Sequence, residues 1–324
     1  PPLDDLWRQA NFNPNPAQEA AIRHIDGPLY LPAGPGSGKT RVLLWRTLNL
    51  IVYHGISPAD IFLSTFTEKA AHQLREGLQG YLAMASNETG QAYDLSPMYI
   101  GTVHSLCGRM LTDRRFSQGR QRTRPPRLMD DLDQYFYLFG SRRWQSIATA
   151  AGLDSASAVA VLNSLFERPA SISRHYAITN GRALFGRLAE EVIDPLEALT
   201  SLNGDSDQWA SFMVDHKIDP AQLSDALRLC HEYRRSLSNG PAPVTDFSLI
   251  QSAAFDTIAT HPDGGRVFRH IIIDEYQDTN TIQEQIFFAL AAGHGNICVV
   301  GDDDQALYRF RGATVENFVR FPER

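Results

Sequence analysis

The segment that most constrains the fold is an octapeptide at positions 33–40, with the sequence Ala33-Gly34-Pro35-Gly36-Ser37-Gly38-Lys39-Thr40. An apolar run at residues 29–31 precedes it, and apolar residues at helical spacing follow it. Strand, glycine-rich turn and helix are the context of a phosphate-binding P-loop. Glycines let successive backbone N–H groups point inward, and the helix N-terminus adds its positive end. The octapeptide therefore predicts a nucleoside triphosphate site.

Two side chains of the octapeptide have predicted roles in that site. Lys39 would reach the β- and γ-phosphates, and the hydroxyl of Thr40 would join the ligands of a Mg²⁺ ion. One position departs from the usual pattern, because Ala33 stands where the first glycine is expected. A glycine-rich turn with a solvated lysine is the alternative, which the flanking strand and helix disfavour.

Length and composition indicate a globular protein with more than one part. A chain of 324 residues exceeds the usual single core, so we expect two domains or one domain with a large insertion. No apolar run is long enough to cross a membrane and no signal peptide is visible, so no membrane partner is expected. Cys107, Cys230 and Cys298 lie far apart, which disfavours disulfides or a metal cluster and suits a cytoplasmic protein with buried thiols.

The charge of the chain leaves its partner open. The formal net charge is −7, but seven arginines and a single acid, Asp113, lie between Arg109 and Arg127. Such a run is either a solvated loop or a strip that contacts phosphates. Composition does not decide between the two.

Strand-like runs alternate with helical patterns in the first and last parts of the chain. After residues 29–31, further runs occupy residues 61–66, 98–101, 270–273 and 296–301. This alternation predicts a parallel sheet, whose ligands gather at the carboxyl ends of the strands. Phe66, Thr102 and His104 lie at or just beyond strand ends, so we expect them at this functional edge. For His104 the position is the only argument, since a single histidine is more often structural.

The middle of the chain has a different character. From residue 112 to residue 236 strand signals fade, and helical patterns follow one another at 130–139, 156–166, 182–193 and 222–237. We expect an all-helical subdomain at 112–236, inserted into a discontinuous α/β domain that consists of residues 1–111 and 237–324.

Acidic residues directly follow the strand-like run at 270–273. Asp274 would hold Mg²⁺, and Glu275 would orient and deprotonate an attacking water. An acidic surface turn is the alternative, which a P-loop in the same chain disfavours. Near the N-terminus, Gln18 has the donors and the acceptor that an adenine edge requires, although alone it is an ordinary helix surface residue.

A mixed polar and aromatic segment follows the run at 296–301. Gln305 is placed to meet a γ-phosphate or its water. Tyr308 and Phe310 alternate with Arg309 and Arg311, which suits base stacking combined with phosphate contact. Burial of the two aromatic rings in a core is the alternative.

Together these stretches resemble the N-terminal part of superfamily 1 DNA helicases of the UvrD/Rep/PcrA type. The matching stretches are residues 15–18, 33–41, 65–71, 101–105, 246–247, 274–280 and 301–313. Their order and approximate spacing also match. The resemblance implies a RecA-like P-loop NTPase lobe that binds ATP and Mg²⁺, with single-stranded DNA crossing the rim of its sheet. The helical segment is covered only by its position, since relatives carry a helical subdomain there.

The resemblance also implies residue roles. Gln18 would read adenine and Arg41 would pack against it, beside the phosphate-binding residues of the octapeptide. The implied catalytic residues are Lys39, Asp274, Glu275 and Gln305, with Thr40 and Asp274 as metal ligands. The implied DNA-binding residues are Phe66, Thr102, His104, Tyr308, Phe310 and Arg311. Pro14 and Ala306 depart from the family pattern, but neither change removes a catalytic group.

Relatives carry a second RecA-like lobe after the Gln305 segment, and this chain stops at Arg324. Arginines from that lobe reach the γ-phosphate, and such residues contribute about 10³–10⁵-fold to hydrolysis. We therefore expect this chain to bind ATP and single-stranded DNA, to hydrolyse ATP poorly and not to unwind duplexes alone. The implied full protein is a 3′–5′ ATP-dependent DNA helicase or translocase, acting on single-stranded and duplex DNA in repair or replication.

Two other functions remain open at this point. One is an ATP-regulated module that binds single-stranded DNA without motor activity. The other is a P-loop ATPase that acts on something other than nucleic acid. The hydrolytic residues Lys39, Asp274, Glu275 and Gln305 favour an enzyme over a pure binding module.

Overall fold

The computed structural model describes residues 2–34, 36–117, 126–165, 173–201, 220–239 and 243–302. The chain divides into two compact units, one of residues 1–122 with 253–324 and the other of residues 123–252. A five-stranded sheet belongs to the first unit, and the second unit is mainly helical. The first and last parts of the chain therefore fold together around the sheet.

All strand pairs are parallel. The strands are β1 (Leu29–Pro32), β2 (Ile61–Thr65), β3 (Tyr99–Thr102), β4 (Arg127–Leu128), β5 (Val244–Thr245), β6 (His270–Ile273) and β7 (Ile297–Gly301). The large sheet has the order β1-β7-β6-β2-β3, and β4 pairs with β5 in a separate sheet. Every residue of β2, β6 and β7 is buried, which explains their continuous apolar sequences. The predicted parallel sheet is confirmed.

Helices cover this sheet, and most of them begin at a side-chain cap. The helices of this part of the chain are α1 (Leu3–Gln9), α2 (Pro16–Arg23), α3 (Lys39–Val52), α4 (Glu68–Thr89), α5 (Val103–Met110), α12 (Phe247–Thr260) and α13 (Thr281–Ala291). Asn15 caps α2, Thr67 caps α4, Thr102 caps α5 and Asn280 caps α13. By contrast, α3 has no side-chain cap, and Gly38 precedes it.

The helical unit has its own core. Its helices are α6 (Asp131–Phe139), α7 (Ser141–Ala150), α8 (Ser155–Ser164), α9 (Arg174–Glu190), α10 (Pro195–Ser201) and α11 (Pro220–Ser238). Trp144, Leu162, Leu188 and Tyr233 are among the buried residues of this core. The strands β4 and β5 also belong to this unit, and the sequence analysis does not predict them. A two-residue strand is too short to show a period.

The three cysteines are free thiols buried in the protein. Burial raises the pKa of Cys298 to about 11 and that of Cys230 to about 12, so both stay protonated at neutral pH. This confirms the prediction that they act as small apolar residues. Within the described ranges, no helix combines the length and the apolar character that a membrane crossing requires.

Candidate functional site

The predicted site residues lie along one edge of the large sheet. The P-loop follows β1, Asp302 follows β7 and Asp274 follows β6. Because these three strands are neighbours, their carboxyl ends bring the phosphate-binding turn and the acidic residues together. Phe66 and Thr102 lie at the ends of the two remaining strands, β2 and β3. Among the described candidates, the P-loop and Asp274 therefore lie at one half of this edge, and Phe66 and Thr102 lie at the other.

The backbone of the P-loop is shaped to receive an anion. Gly36 has φ 73° and Gly38 has φ 81°, a left-handed conformation that favours glycine. Because no side chain caps α3, its first-turn N–H groups lack the partner that the capped helices have. A phosphate would supply that partner and meet the positive end of the helix dipole. Pro35 lies outside the described residues.

Gln18 already uses both ends of its side-chain amide. Its Oε1 accepts a hydrogen bond from the backbone N–H of Asn15 at 3.0 Å, which completes a capping box at the start of α2. Its Nε2 donates to the carbonyl oxygen of Ser37 at 2.9 Å. Gln18 therefore connects α2 to the P-loop, and its amide keeps a second N–H and a second lone pair that an adenine edge could use. The adenine-reading role stays a prediction.

Arg41 is held at the same end of the site. Its guanidinium lies 5.0 Å from the centroid of the Phe12 ring and donates to the hydroxyl of Tyr81 at 3.3 Å. Phe12 and Tyr81 in turn each stack on the buried Trp45. An aromatic stack therefore supports Arg41, whose contact with adenine stays a prediction.

The P-loop lysine forms an ion pair with the predicted catalytic glutamate. The Nζ atom of Lys39 lies 2.6 Å from the carboxylate of Glu275. Glu275 itself has φ 55°, a conformation that is strained for a residue with a Cβ and that concentrates at active sites. The structure therefore joins the two halves of the predicted phosphate site, which are more than 230 residues apart in sequence.

Asp274 is buried at the end of β6, and no cationic side chain in the described ranges forms an ion pair with it. Its Oδ1 accepts a hydrogen bond from the N–H of Glu275 at 3.1 Å. Burial first and the negative charge of Glu275 second raise the pKa of Asp274 to about 6, and the charge of Lys39 opposes the change. A divalent cation would supply the positive charge that this carboxylate lacks.

The residues present fit Mg²⁺. Thr40 is the second residue of α3 and is exposed, and Asp274 offers one carboxylate. Among the side chains that the structure describes, no group of three or more His, Cys, Asp or Glu is arranged to hold a metal ion. Mg²⁺ takes one or two protein carboxylates and fills its octahedron with phosphate oxygens and water, so Asp274 and Thr40 are of the kind that would hold it. The ion would neutralise phosphate charge.

Sequence reasoning missed two residues of the site. Gln277 is only 2% exposed and donates from Nε2 to Glu275 at 2.8 Å. Asp278 is half-buried, and burial together with the charge of Glu275 raises its pKa to about 6. Its Oδ1 finds no hydrogen-bond partner among the described residues. Their position directly after Asp274 and Glu275, at a strand end, was a signal that could have identified them.

The candidates at the nucleic-acid half of the edge have mixed environments. Phe66 is 37% exposed directly after β2. Thr102 caps α5 and donates from its hydroxyl to Glu68 at 2.7 Å, so it also has a structural role. His104 is half-buried, and burial lowers its pKa, which keeps the imidazole neutral at pH 7. The candidates Gln305, Tyr308, Phe310 and Arg311 lie outside the described residues.

Two arginines of the Arg109–Arg127 run have structural roles. Arg109 donates to the carbonyl oxygen of Met98 at 2.7 Å and lies 4.0 Å from the centroid of the Tyr99 ring. Arg115 forms an ion pair with Asp113 at 2.8 Å. For these two residues both predictions, a solvated loop and a strip that contacts phosphates, are wrong, because both side chains make contacts within the protein that stabilise the fold. Arg120, Arg122 and Arg124 lie outside the described residues.

The last arginine of that run lines a cleft of about 1100 Å³ in the helical unit. The arginines of this cleft, hereafter the basic cleft, are Arg127, Arg142, Arg143 and Arg235. Phe136 also lines it and is 60% exposed. Arg127 and Arg235 have acidic partners, whereas no acid within the described part of the chain pairs with Arg142 or Arg143. Guanidinium groups beside an exposed ring are typical of contacts with single-stranded nucleic acid.

Comparisons with known proteins show the family of this chain. A family described as the UvrD/REP helicase N-terminal domain matches residues 14–324. The chain is 31% identical to the ATP-dependent DNA helicase UvrD1 of Mycobacterium tuberculosis over 322 residues, and 30% identical to the ATP-dependent DNA helicase PcrA of Bacillus subtilis over 312 residues. Each alignment covers 95% of this chain and 35% of the relative. The chain therefore spans about a third of the length of these relatives.

Proposed function

Because the chain belongs to the UvrD/REP helicase N-terminal domain family, we propose that it is the ATP-binding part of an ATP-dependent DNA helicase. The observation that carries this proposal is the ion pair between Lys39 and Glu275 at the uncapped start of α3. It supports the proposal because Lys39 and Glu275, the proposed phosphate-binding cation and hydrolytic carboxylate, meet beside a helix start that has no side-chain cap. The names of the relatives support ATP as the nucleotide and DNA as the substrate.

In the proposed reaction Lys39 leaves Glu275 and binds the phosphates. Thr40 and Asp274 would hold Mg²⁺, which would neutralise phosphate charge. Glu275 orients a water molecule and accepts its proton while the water oxygen bonds to the γ-phosphorus. The bond from that phosphorus to the bridging oxygen of ADP breaks, so the products are ADP and inorganic phosphate. Gln305 would contact the γ-phosphate or the water.

Two surfaces support a DNA partner. Phe66 is exposed at the strand end beside Thr102 and His104, where a base could stack. The basic cleft of the helical unit offers arginines for phosphates next to the exposed ring of Phe136. We propose that both contact DNA, together with Tyr308, Phe310 and Arg311. Movement from 3′ to 5′, a role in repair or replication and a cytoplasmic location belong to the same proposal.

The domain organisation is also part of the proposal. Residues 1–111 and 237–324 would form one RecA-like lobe, and residues 112–236 its helical insertion. The compact units support a discontinuous lobe, although their limits fall at residues 122 and 253. A second lobe, supplied elsewhere in the full-length protein, would complete the hydrolytic site. On its own this chain would then hydrolyse ATP slowly and leave duplex DNA paired.

Substitution of the P-loop lysine tests the nucleotide site. We expect Lys39→Ala to weaken Mg²⁺–ATP binding at least about 100-fold, since it removes the cation that meets the phosphates. Isothermal titration calorimetry measures this loss, and Lys69→Ala, which removes an exposed lysine from α4, is the control. Nucleotide affinity retained in Lys39→Ala would overturn the assignment.

DNA binding is tested by fluorescence anisotropy with a labelled oligothymidylate. We expect Phe66→Ala to weaken binding by about 1–3 kcal/mol with little change in salt dependence, because it removes a stacking ring. The double variant Arg142→Ala with Arg143→Ala should instead lower the salt slope by about 1–2, because it removes phosphate contacts. Unchanged affinity in both variants would favour a P-loop ATPase that acts on another substrate.

A measurement of ATP hydrolysis distinguishes the proposed enzyme from the second candidate function, an ATP-regulated DNA-binding module. With the chain in excess over radiolabelled ATP, we expect slow release of phosphate that Glu275→Gln abolishes. Equal phosphate release by the two proteins would favour the binding module.

A further inference from the structure

The buried side chain of Gln277 connects the ends of two neighbouring strands. It lies in a short turn, Tyr276–Asp278, directly after β6. Its Nε2 donates to the carboxylate of Glu275 at 2.8 Å, and its Oε1 accepts from the backbone N–H of Asp302 at 3.1 Å. One amide therefore links the predicted catalytic carboxylate to the end of β7.

This link extends to the P-loop in two ways. The carboxylate that accepts from Gln277 also forms the ion pair with Lys39 at 2.6 Å. The backbone N–H of Ala33 donates to the carbonyl oxygen of Gly301 at 2.8 Å, which connects the start of the P-loop to the same end of β7. The P-loop and the acidic turn after β6 therefore both contact the backbone that leads to Gln305.

To stay in position for hydrolysis, the carboxylate of Glu275 needs a hydrogen-bond donor that remains in place when a nucleoside triphosphate is bound. The donors that the structure shows to its carboxylate are Lys39 and Gln277. Triphosphate oxygens would draw Lys39 away, because a phosphate carries more negative charge than one carboxylate. Gln277 then remains as the neutral donor, and its own position is fixed by burial and by the contact with Asp302.

We propose that Gln277 is a positioning residue for hydrolysis, and this inference rests on the proposed function. Its Nε2 holds Glu275 in line with the attacking water after Lys39 has moved to the phosphates. Its Oε1 accepts from the backbone N–H of Asp302, three residues before Gln305, and so couples the position of Glu275 to that part of the backbone. An amide suits this place because it donates and accepts without adding charge, whereas a second carboxylate would repel Glu275.

The first test compares Gln277→Ala and Gln277→Glu with Gln283→Ala. Gln283 is a matched control, because it is a glutamine six residues further along the chain whose side chain completes the capping box of α13. We expect single-turnover hydrolysis to fall between about 10- and 100-fold in both Gln277 variants, as a misplaced catalytic group does. The dissociation constant for Mg²⁺–ATP should change less than about twofold, and Gln283→Ala should leave both quantities unchanged.

The second test measures hydrogen exchange of the Asp302 amide by mass spectrometry, with and without Mg²⁺ and a non-hydrolysable ATP analogue. We expect protection of this amide in the parent chain in both states and faster exchange in Gln277→Ala, because the variant lacks the acceptor. Equal exchange in parent and variant would overturn the inference, and it decides the matter even where hydrolysis is too slow to compare. A parent chain that fails to bind Mg²⁺–ATP would instead overturn the proposed function.

Discussion

Each of the two units contains a buried cluster in which a glutamine lies next to a carboxylate. The two clusters differ in how many of their polar groups have hydrogen-bond or ionic partners. In the helical unit, Asp246 accepts hydrogen bonds from Gln134 at 3.0 Å, from the hydroxyl of Tyr233 at 2.8 Å and from the backbone N–H of Leu249 at 2.8 Å. The other end of Gln134 accepts from Arg182 at 2.8 Å. Every group in this cluster has a partner.

In the cluster of the sheet unit, carboxylates outnumber the cationic side chains that pair with them in the described structure. Asp274, Glu275 and Asp278 follow β6 within five residues, and of these three carboxylates only that of Glu275 has an ion pair in the described structure, with Lys39. The pKa values of Asp274 and Asp278 are both raised to about 6, by burial first and by Glu275 second. These carboxylates lie in a site that favours added positive charge.

The difference separates a structural cluster from a functional one. A polar network whose members are all paired stabilises a single conformation. A network with too many carboxylates for its cations is costly to bury, and it gains when a metal ion or a proton arrives. Both clusters are built from similar residue types, so the balance of charges and partners distinguishes them rather than composition. Substitutions in the two clusters should therefore change different measured quantities.

The largest expected change in stability follows from breaking the hydrogen-bonded cluster around Asp246 in the helical unit. We expect Asp246→Ala to lower the free energy of unfolding by about 3 kcal/mol, because it leaves buried donors on Gln134, Tyr233 and Leu249 without their acceptor. Urea unfolding followed by circular dichroism measures the loss. Nucleotide affinity of the folded protein should not change.

Asp154→Ala is the control for this change, since Asp154 also accepts backbone N–H groups but does so at the exposed start of α8. Loss of such a cap costs about 1 kcal/mol. Equal losses for the two variants would mean that burial of the Asp246 cluster adds nothing.

The sequence predicts the sheet unit better than it predicts either cluster. Strands β2, β6 and β7 are visible because each is a continuous apolar run that ends at polar residues, and β6 has the predicted limits His270–Ile273. The P-loop and the pair of Asp274 and Glu275 are also visible, since a local pattern carries the phosphate chemistry. Local signals therefore identify the site and its main reactive groups.

Contacts between distant residues are not visible in such patterns. The hydrogen bond between Gln134 and Asp246 joins residues 112 positions apart, and that between Gln277 and Asp302 joins residues 25 positions apart. A glutamine has the same letter on a surface and in a core, so only the folded chain shows which ones are buried. The same reason explains why the bracing roles of Arg109 and Arg115 escaped sequence reasoning.

A smaller change in the free energy of unfolding is expected when one charged carboxylate of the sheet-unit cluster is replaced by a neutral amide. A carboxyl with a raised pKa in the folded state destabilises that state when ionised, so the cost is present above pH 6 and disappears towards pH 4. We expect Asp278→Asn to raise the free energy of unfolding by about 1 kcal/mol at pH 8, after a discount for partial exposure, and not at pH 4. Thermal unfolding at the two pH values measures this.

Asp26→Asn provides the control, because Asp26 is exposed and lies away from the acidic turn. Its effect should be small at both pH values. A gain for Asp278→Asn that is as large at pH 4 as at pH 8 would mean that something other than the buried charge is responsible.

The smallest expected change in stability concerns Gln18, a third glutamine with both ends in use. Gln18→Glu keeps the acceptor for Asn15 but loses the donor to Ser37, so the free energy of unfolding should fall by less than about 1 kcal/mol. If the same amide reads adenine, ATP affinity should fall about tenfold, and GTP affinity should not change. Calorimetric titration with both nucleotides measures the difference. Equal losses for ATP and GTP would show that Gln18 supports the P-loop backbone instead of the base, which would make it a structural glutamine like Gln134.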